Sequence, residues 1–124
     1  MKTFKQYVNS DIRRSDKNYD IDQSIGGRLL DQALGRIVTD FEHDRIPNQK
    51  DVDQIKDSYK HYEPAIIYAI KNNRKIPNIF IERITSGYDD NVSLNYVLDH
   101  IKKYNKNKIK QILQRNPELL EYFI

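Results

Sequence analysis

Apolar residues recur at steps of three and four along most of the chain, which is the spacing of one helix face. The longest such run falls between residues 24 and 42 and includes Gly35, which would permit a close helix crossing. Strict alternation of apolar and polar residues is scarce, so the pattern predicts an all-α chain of about seven short helices. The apolar positions of the longest run are Ile25, Leu29, Leu30, Ala33, Leu34, Ile37, Val38 and Phe41.

Capping and turn residues divide this pattern into units. Pro47 ends the longest helix, and Asn48 caps the next one. Pro64 and Pro77 each suit the first position of a helix, where a missing N–H is harmless. The predicted single domain, 1–124, therefore contains an N-terminal helix with a connector (1–22), three helical hairpins (24–59, 64–85 and 93–113) and a C-terminal cap (116–124).

A tetrapeptide returns at two of the corners, as RIPN at 45–48 and KIPN at 75–78. Aligning the two gives a period of 30. Residues 66–84 also align with 94–112 at a period of 28, with apolar residues at most shared core positions. Stacked hairpins of this kind bury a continuous apolar face that one hairpin alone cannot bury. The alternative is a small helical bundle whose helices share only the general 3.6-residue period.

One stretch of the repeat contains Tyr68-Ala69 followed by Arg74, Pro77, Glu82 and Ile84. This pattern resembles short helical repeats in small proteins of large tailed bacteriophages. The resemblance covers mainly 64–85 and 91–113, although the second stretch has Lys102 in place of the Arg and Asn105 in place of the Pro. It implies an all-helical repeat and a phage or bacterial host setting.

Charge is distributed unevenly although the net charge is only +3. Seven acids and four Lys or Arg residues lie between Asp31 and Asp57, whereas residues 101–116 contain six Lys or Arg and no acid. This basic stretch could meet nucleic acid through phosphate contacts, meet an acidic protein surface, or face only solvent. Its candidate binding residues are Lys102, Lys103, Tyr104, Lys106, Lys110 and Arg115, with Tyr104 placed to stack on a base.

Nine tyrosines are more than a core of this size requires, and tyrosine is favoured at interfaces. Tyr68 and Tyr96 are predicted to lie in the core. Tyr62 and Tyr88 lie near predicted corners, so we expect them to share one partner-binding edge of the stack with Tyr104. The apolar C-terminal residues 119–123 either cap the stack or pair with a second copy of the chain.

No catalytic, cofactor or metal motif stands out. Cysteine is absent, His43, His61 and His100 do not have metal-pair spacing, and no base is evident beside any serine. We therefore predict that the chain is not an enzyme and holds no cofactor. A small hydrolase would need His61 to meet acids that are distant in the sequence. With neither a signal peptide nor a long apolar segment in sight, a cytoplasmic location is expected.

These patterns favour a protein-binding module that docks on a host or viral protein and modulates it by steric or electrostatic occlusion. The alternative is an accessory protein that binds nucleic acid through residues 102–115. A membrane partner is not expected.

Overall fold

The computed structural model describes residues 25–123, and every regular element among them is helical. This confirms the all-α prediction, with seven helices in the described part of the chain. The predicted N-terminal helix and connector (1–22) lie outside the described residues. The helices are α1 (Ile25–Glu42), α2 (Gln49–Ile55), α3 (Tyr59–Lys71), α4 (Asn78–Thr85), α5 (Leu94–Lys102), α6 (Lys106–Arg115) and a 3₁₀ helix (Pro117–Phe123).

The helix starts follow local capping chemistry. Asn48 accepts a hydrogen bond from the Lys50 amide at 2.8 Å, and Ser93 accepts one from the Tyr96 amide at 3.1 Å. Asn105 caps α6 in the same way. Each of these side chains satisfies an N–H that has no partner inside its own helix, and the predicted cap at Asn48 is confirmed.

Successive hairpins place their first helices side by side. Helix α1 packs against α2 and α3, α3 packs against α5, and α5 packs against α4 and α6. The 3₁₀ helix packs on α6 and buries Leu119. One core runs through the stack, and its largest fully buried side chains are Tyr62, Phe41, Phe80, Ile37, Ile55, Ile66, Ile70, Ile76, Ile101, Ile112 and Leu119.

The first two hairpins repeat with a period of 29, not the predicted 30. Asp44 and Asn73 both adopt a left-handed conformation, with φ of 54° and 57°, at the ends of α1 and α3. The next amide, Arg45 or Arg74, then donates to a carbonyl five residues back, at 2.8 Å in both corners. Core residues match at the same offset without a gap: Ile37 with Ile66, Phe41 with Ile70, Val52 with Ile81, and Ile55 with Ile84.

The two tetrapeptides are therefore one residue out of register in the fold. Ile46 occupies the place that Lys75 has in the second corner, and its side chain is 95% exposed. Ile76 occupies the place of Pro47 and is fully buried. The isoleucine of the tetrapeptide is consequently exposed at the first corner and buried at the second.

The third hairpin departs from the first two in its corner. Residues 103–105 join α5 to α6, whereas six residues join the helices of each earlier hairpin. The second helix of the unit keeps the predicted spacing of 28, since the N-caps Pro77 and Asn105 and the buried Ile84 and Ile112 are both that far apart.

The predicted position of Pro64 is wrong, and Pro77 is the N-cap of α4 and not its first residue as predicted. Helix α3 begins at Tyr59, so Pro64 lies inside it and the unit that was predicted to begin at 64 begins at 59. The Ser58 carbonyl accepts from the amides of His61 and Tyr62, both at 2.9 Å, and this early turn buries both side chains. That burial outweighs the single backbone hydrogen bond that proline removes. Tyr59, predicted for the second helix, consequently belongs to the third.

Candidate partner-binding surfaces

A groove of about 620 Å³ lies between the two repeated corners. Phe41 and Val52 contribute to its wall, and both are almost fully buried. The register difference between the corners brings the exposed Ile46 to the same groove. Its other lining residues are Asp44, Arg45, Pro47, Gln49, Asp53, Arg74, Lys75, Pro77, Asn78, Ile79, Glu82 and Arg115.

Most of the cations along the groove are held by the chain itself. The Arg74 Nε donates to the Phe41 carbonyl at 2.8 Å, and its Nη1 lies 3.4 Å from an Asp44 carboxylate oxygen. Arg45 pairs with Asp40 at 3.1 Å. Because the Asp44, Asp53 and Glu82 carboxylates also line it, the groove presents both charge signs beside an exposed aliphatic side chain.

Lys75 lines the groove and forms an ion pair with the C-terminal segment. Its Nζ lies 2.6 Å from a Glu118 carboxylate oxygen and donates to the Ile76 carbonyl at 2.9 Å. Burial acts to raise the pKa of Glu118, but the hydrogen bond from Lys75, a backbone hydrogen bond and the charge of Lys75 together lower it below its usual value. This contact ties the second corner to the 3₁₀ helix.

Arg115 is the groove cation that the chain leaves unpaired. Within residues 25–123 its guanidinium has neither an ion pair nor a hydrogen bond to an acceptor. It is exposed at the end of α6. An unpaired guanidinium can donate two parallel hydrogen bonds to one carboxylate of a partner, a bidentate pair.

A second surface, the basic face, extends from the end of α5 along α6. It comprises Lys102, Lys103, Lys106, Lys110 and Arg115, all of them exposed. No ion pair joins any of these five to a carboxylate in the described chain. By contrast, five of the cations between residues 36 and 83 pair with a carboxylate: Arg36, Arg45, Arg74, Lys75 and Arg83.

Lys108 lies in the same stretch but serves the fold. Its ammonium donates to the Lys71 carbonyl at the end of α3 and stands 5.3 Å from the centre of the Tyr104 ring. Burial lowers the pKa of Lys108, and the charge of Arg74 lowers it further. This lysine therefore joins α6 to α3 and is not part of the basic face.

The three tyrosines predicted to share one edge have different surroundings. The prediction for Tyr62 is wrong, because its side chain is fully buried and stacks on Phe80 with ring centres 5.8 Å apart. Tyr88 is 49% exposed, and its hydroxyl donates to Asp57 at 3.2 Å. Tyr104 is half-buried against the core. The early start of α3 explains the error, since it moves Tyr62 from a corner onto an inward helix face.

The core role predicted for Tyr96 is also wrong. This side chain is 43% exposed, and its hydroxyl donates to Glu63 at 2.8 Å. Tyr68 is half-buried and packs against the core. Position 96 aligns with 68 in the repeat, but only the residue at 68 packs against the core.

A buried hydrogen-bonded chain of Ser58, His61 and Asp31 was missed in the sequence. His61 is 9% exposed, with its Nδ1 2.6 Å from the Ser58 hydroxyl oxygen and its Nε2 2.7 Å from an Asp31 carboxylate oxygen. With the Nε2–H donating to Asp31, Nδ1 accepts from the Ser58 O–H. The expectation that no base lies beside a serine is therefore wrong.

These three groups link the start of α3 to α1, and they include the contact of His61 with a distant acid that a hydrolase would need. Ser58 is the N-cap of α3 and His61 is its third residue, a spacing that brings an N-terminal side chain back to the cap residue. Ser58 makes no capping bond of its own and binds the imidazole instead. Asp31 belongs to α1, so the three residues connect two packed helices. None of the three lines the corner groove.

Three further findings bear on the function. Among residues 25–123, no three His, Cys, Asp or Glu side chains are grouped to hold a metal ion. No helix in that part is long and apolar enough to span a bilayer. Comparison with known protein families, curated proteins and solved structures found no significant match to this chain.

Proposed function

We propose that this chain is a protein-binding module whose corner groove receives a segment of a partner protein. The partner segment would place an apolar side chain against Ile46 and a carboxylate on Arg115. The observation that carries the proposal is the 95% exposure of Ile46 at the edge of this groove.

Ile46 supplies the binding energy in this proposal. Burying an exposed isoleucine side chain is worth about 1.5–3 kcal/mol. A single exposed aliphatic residue is common on protein surfaces. Ile46 differs because Pro47 and Ile79 line the same groove, so one partner segment can contact three apolar residues there.

The charges of the groove favour a polypeptide over nucleic acid. The carboxylates of Asp44, Asp53 and Glu82 would repel a phosphate backbone, whereas a polypeptide can offer both signs. Arg115 has no carboxylate of its own, so an acidic side chain of the partner would meet an unpaired guanidinium.

The likeness to repeat proteins of tailed phages supports a particular setting for this activity. In that setting the partner is a host or viral protein in the cytoplasm, and occupation of the partner's segment blocks its other contacts. Occlusion of this kind needs no chemistry from the small module, only a rigid surface.

The test is affinity capture from a nuclease-treated extract of the source cells, followed by calorimetry with the purified partner. Ile46→Ser should weaken binding about tenfold or more, which corresponds to roughly 1.4 kcal/mol. Leu29→Ser is the matched control, since Leu29 is 46% exposed on α1 and does not line the groove. The proposal fails if no protein is captured, or if both variants bind the partner as tightly as the unchanged chain.

A further inference from the structure

The basic face does not belong to the corner groove apart from Arg115, and its composition suggests a different ligand. Its cations are accompanied on α6 by the exposed amide side chains of Asn107, Gln111 and Gln114. Ile112 and Leu113, on the opposite side, are buried. Since no acid occurs between Lys102 and Arg115, the outer side of this helix carries only cations and hydrogen-bonding amides.

The fold increases the positive potential at this place. Lys106 is the first residue of α6, and the first turn of that helix contains no acid. The helix N-terminus carries partial positive charge, so Lys106 adds to it and is repelled by it. Lys102 and Lys103 precede the same end. A bound polyanion would relieve this repulsion.

Four lysines of the face can each meet one phosphate. Lys102 and Lys103 lie at the end of α5, and Lys106 and Lys110 are one turn apart and project from the same side of α6. Arg115 lies about two and a half turns after Lys106, on the opposite side of α6, and is not counted among these contacts.

The surface chemistry favours nucleic acid over an acidic protein. Protein interfaces are built around an apolar centre and are depleted in lysine, whereas interfaces with nucleic acid are polar and strongly cationic. The large exposed hydrophobic residues of the described chain all lie outside 102–116. The basic face therefore lacks the apolar centre that a stable protein contact requires.

Tyr104 contributes little base stacking in this arrangement. Lys108 stands over its ring, and the His100 ring meets it edge-on at 6.4 Å between centres. Contacts would consequently go mainly to phosphates, which are the same for every sequence.

We propose that the basic face of α5 and α6 binds the phosphodiester backbone of nucleic acid without sequence preference. This activity goes beyond the protein contact proposed for the corner groove and uses a surface that shares only Arg115 with that groove.

Fluorescence anisotropy with a labelled 20-nucleotide single strand and the matching duplex tests this proposal. We expect micromolar binding in 50 mM salt. With four phosphate contacts, affinity should fall about 50- to 150-fold on going to 200 mM salt. A Lys106→Gln/Lys110→Gln variant should bind more weakly and lower the magnitude of the slope of log K against log salt by about 1.5 to 2.

Matched controls separate this surface from others. Lys50→Gln/Lys60→Gln removes two exposed lysines from α2 and α3, and it should leave the affinity and the salt slope unchanged. Ile46→Ser should also leave nucleic-acid binding unchanged, so this proposal and the groove proposal can fail separately.

Three results would overturn the proposal. The first is no binding at 50 mM salt. The second is an equal loss of affinity in the Lys106→Gln/Lys110→Gln variant and in the Lys50→Gln/Lys60→Gln control. The third is competition by polyglutamate as effective as by unlabelled DNA at equal charge, which would assign the face to acidic polypeptides.

Discussion

Ile46 and Ile76 stand at the same position of two similar tetrapeptides and have opposite surroundings. The left-handed residues Asp44 and Asn73 set the register of the two corners, and that register differs by one residue from the sequence match. One isoleucine is consequently 95% exposed and the other fully buried. A backbone conformation, not a side chain, therefore decides which of them can contact a partner.

Gly35 lies inside α1 without a close neighbour. A Cβ built at this position meets nothing within 4 Å, so the close helix crossing expected there does not occur. Gly35→Ala should therefore raise the free energy of unfolding by about 0.5–1 kcal/mol, because alanine loses less backbone entropy in a helix. Urea unfolding followed by circular dichroism measures the change.

Gly87→Ala serves as the opposite control for that substitution. Gly87 has a φ of 72°, a conformation that costs an L-residue about 1–2 kcal/mol. Destabilisation by Gly35→Ala would show that α1 has neighbours at this position that the structure does not contain.

His100 makes the stability of the fold depend on pH. Burial lowers its pKa from the ordinary value of 6.5, the charge of Lys103 lowers it further, and Glu63 opposes both. The unfolded chain therefore takes up this proton first as the pH falls. The contribution of His100 to the free energy of unfolding is fully present above about pH 6.5. It is lost as the pH falls from 6.5 toward the pKa of His100 in the folded state.

His100→Gln should consequently flatten the pH dependence of stability. Urea midpoints of both proteins between pH 5 and pH 8 measure the effect. The unchanged chain should lose more stability than the variant below about pH 6.5. A difference between the two that stays constant over this range would contradict the assignment.

At the scale of elements, Asn116 joins the end of α6 to the second corner. Its fully buried side chain accepts from the Ile76 amide at 2.7 Å and donates to the carbonyls of Arg74 and Ile112 at 3.1 Å and 2.9 Å. The sequence predicts only a cap at this position. In the fold it satisfies the backbone of a corner 40 residues away.

Asn116→Ala should lower the free energy of unfolding by about 2–3 kcal/mol, because it leaves the buried Ile76 N–H without an acceptor. Chemical unfolding of the two proteins measures the loss. Asn107→Ala, at an exposed position of α6, should change stability by less than about 0.5 kcal/mol. Equal effects of the two substitutions would contradict this role for Asn116.

Helix α3 shows why element boundaries are harder to predict than element types. The apolar period correctly indicates a helix there, and proline statistics place its start at Pro64. The start at Tyr59 depends on Ser58, on the bond from His61 to Asp31 in α1, and on the stacking of Tyr62 on Phe80. The last two are contacts between distant parts of the chain, which no local pattern contains.

At the scale of the whole molecule, the first two hairpins differ from the third in whether their cations pair with carboxylates. The first two hairpins pair most of their arginines with nearby acids, whereas the third presents unpaired cations. The composition of 101–116 already indicated a basic end. That its cations are unpaired follows only from the packing of the third hairpin, which brings no acid to them.

The sequence by itself determined the helical class, the cap at Asn48, and the basic character of α6. These features depend on periodicity, on side-chain to backbone hydrogen bonds within three residues, and on composition, all of which are local. The tertiary structure decided the one-residue register between the corners, the burial of Tyr62, the exposure of Tyr96 and the linkage of Ser58 and His61 to Asp31. Those depend on which helices pack together, and packing is a property of residues that are far apart in the chain.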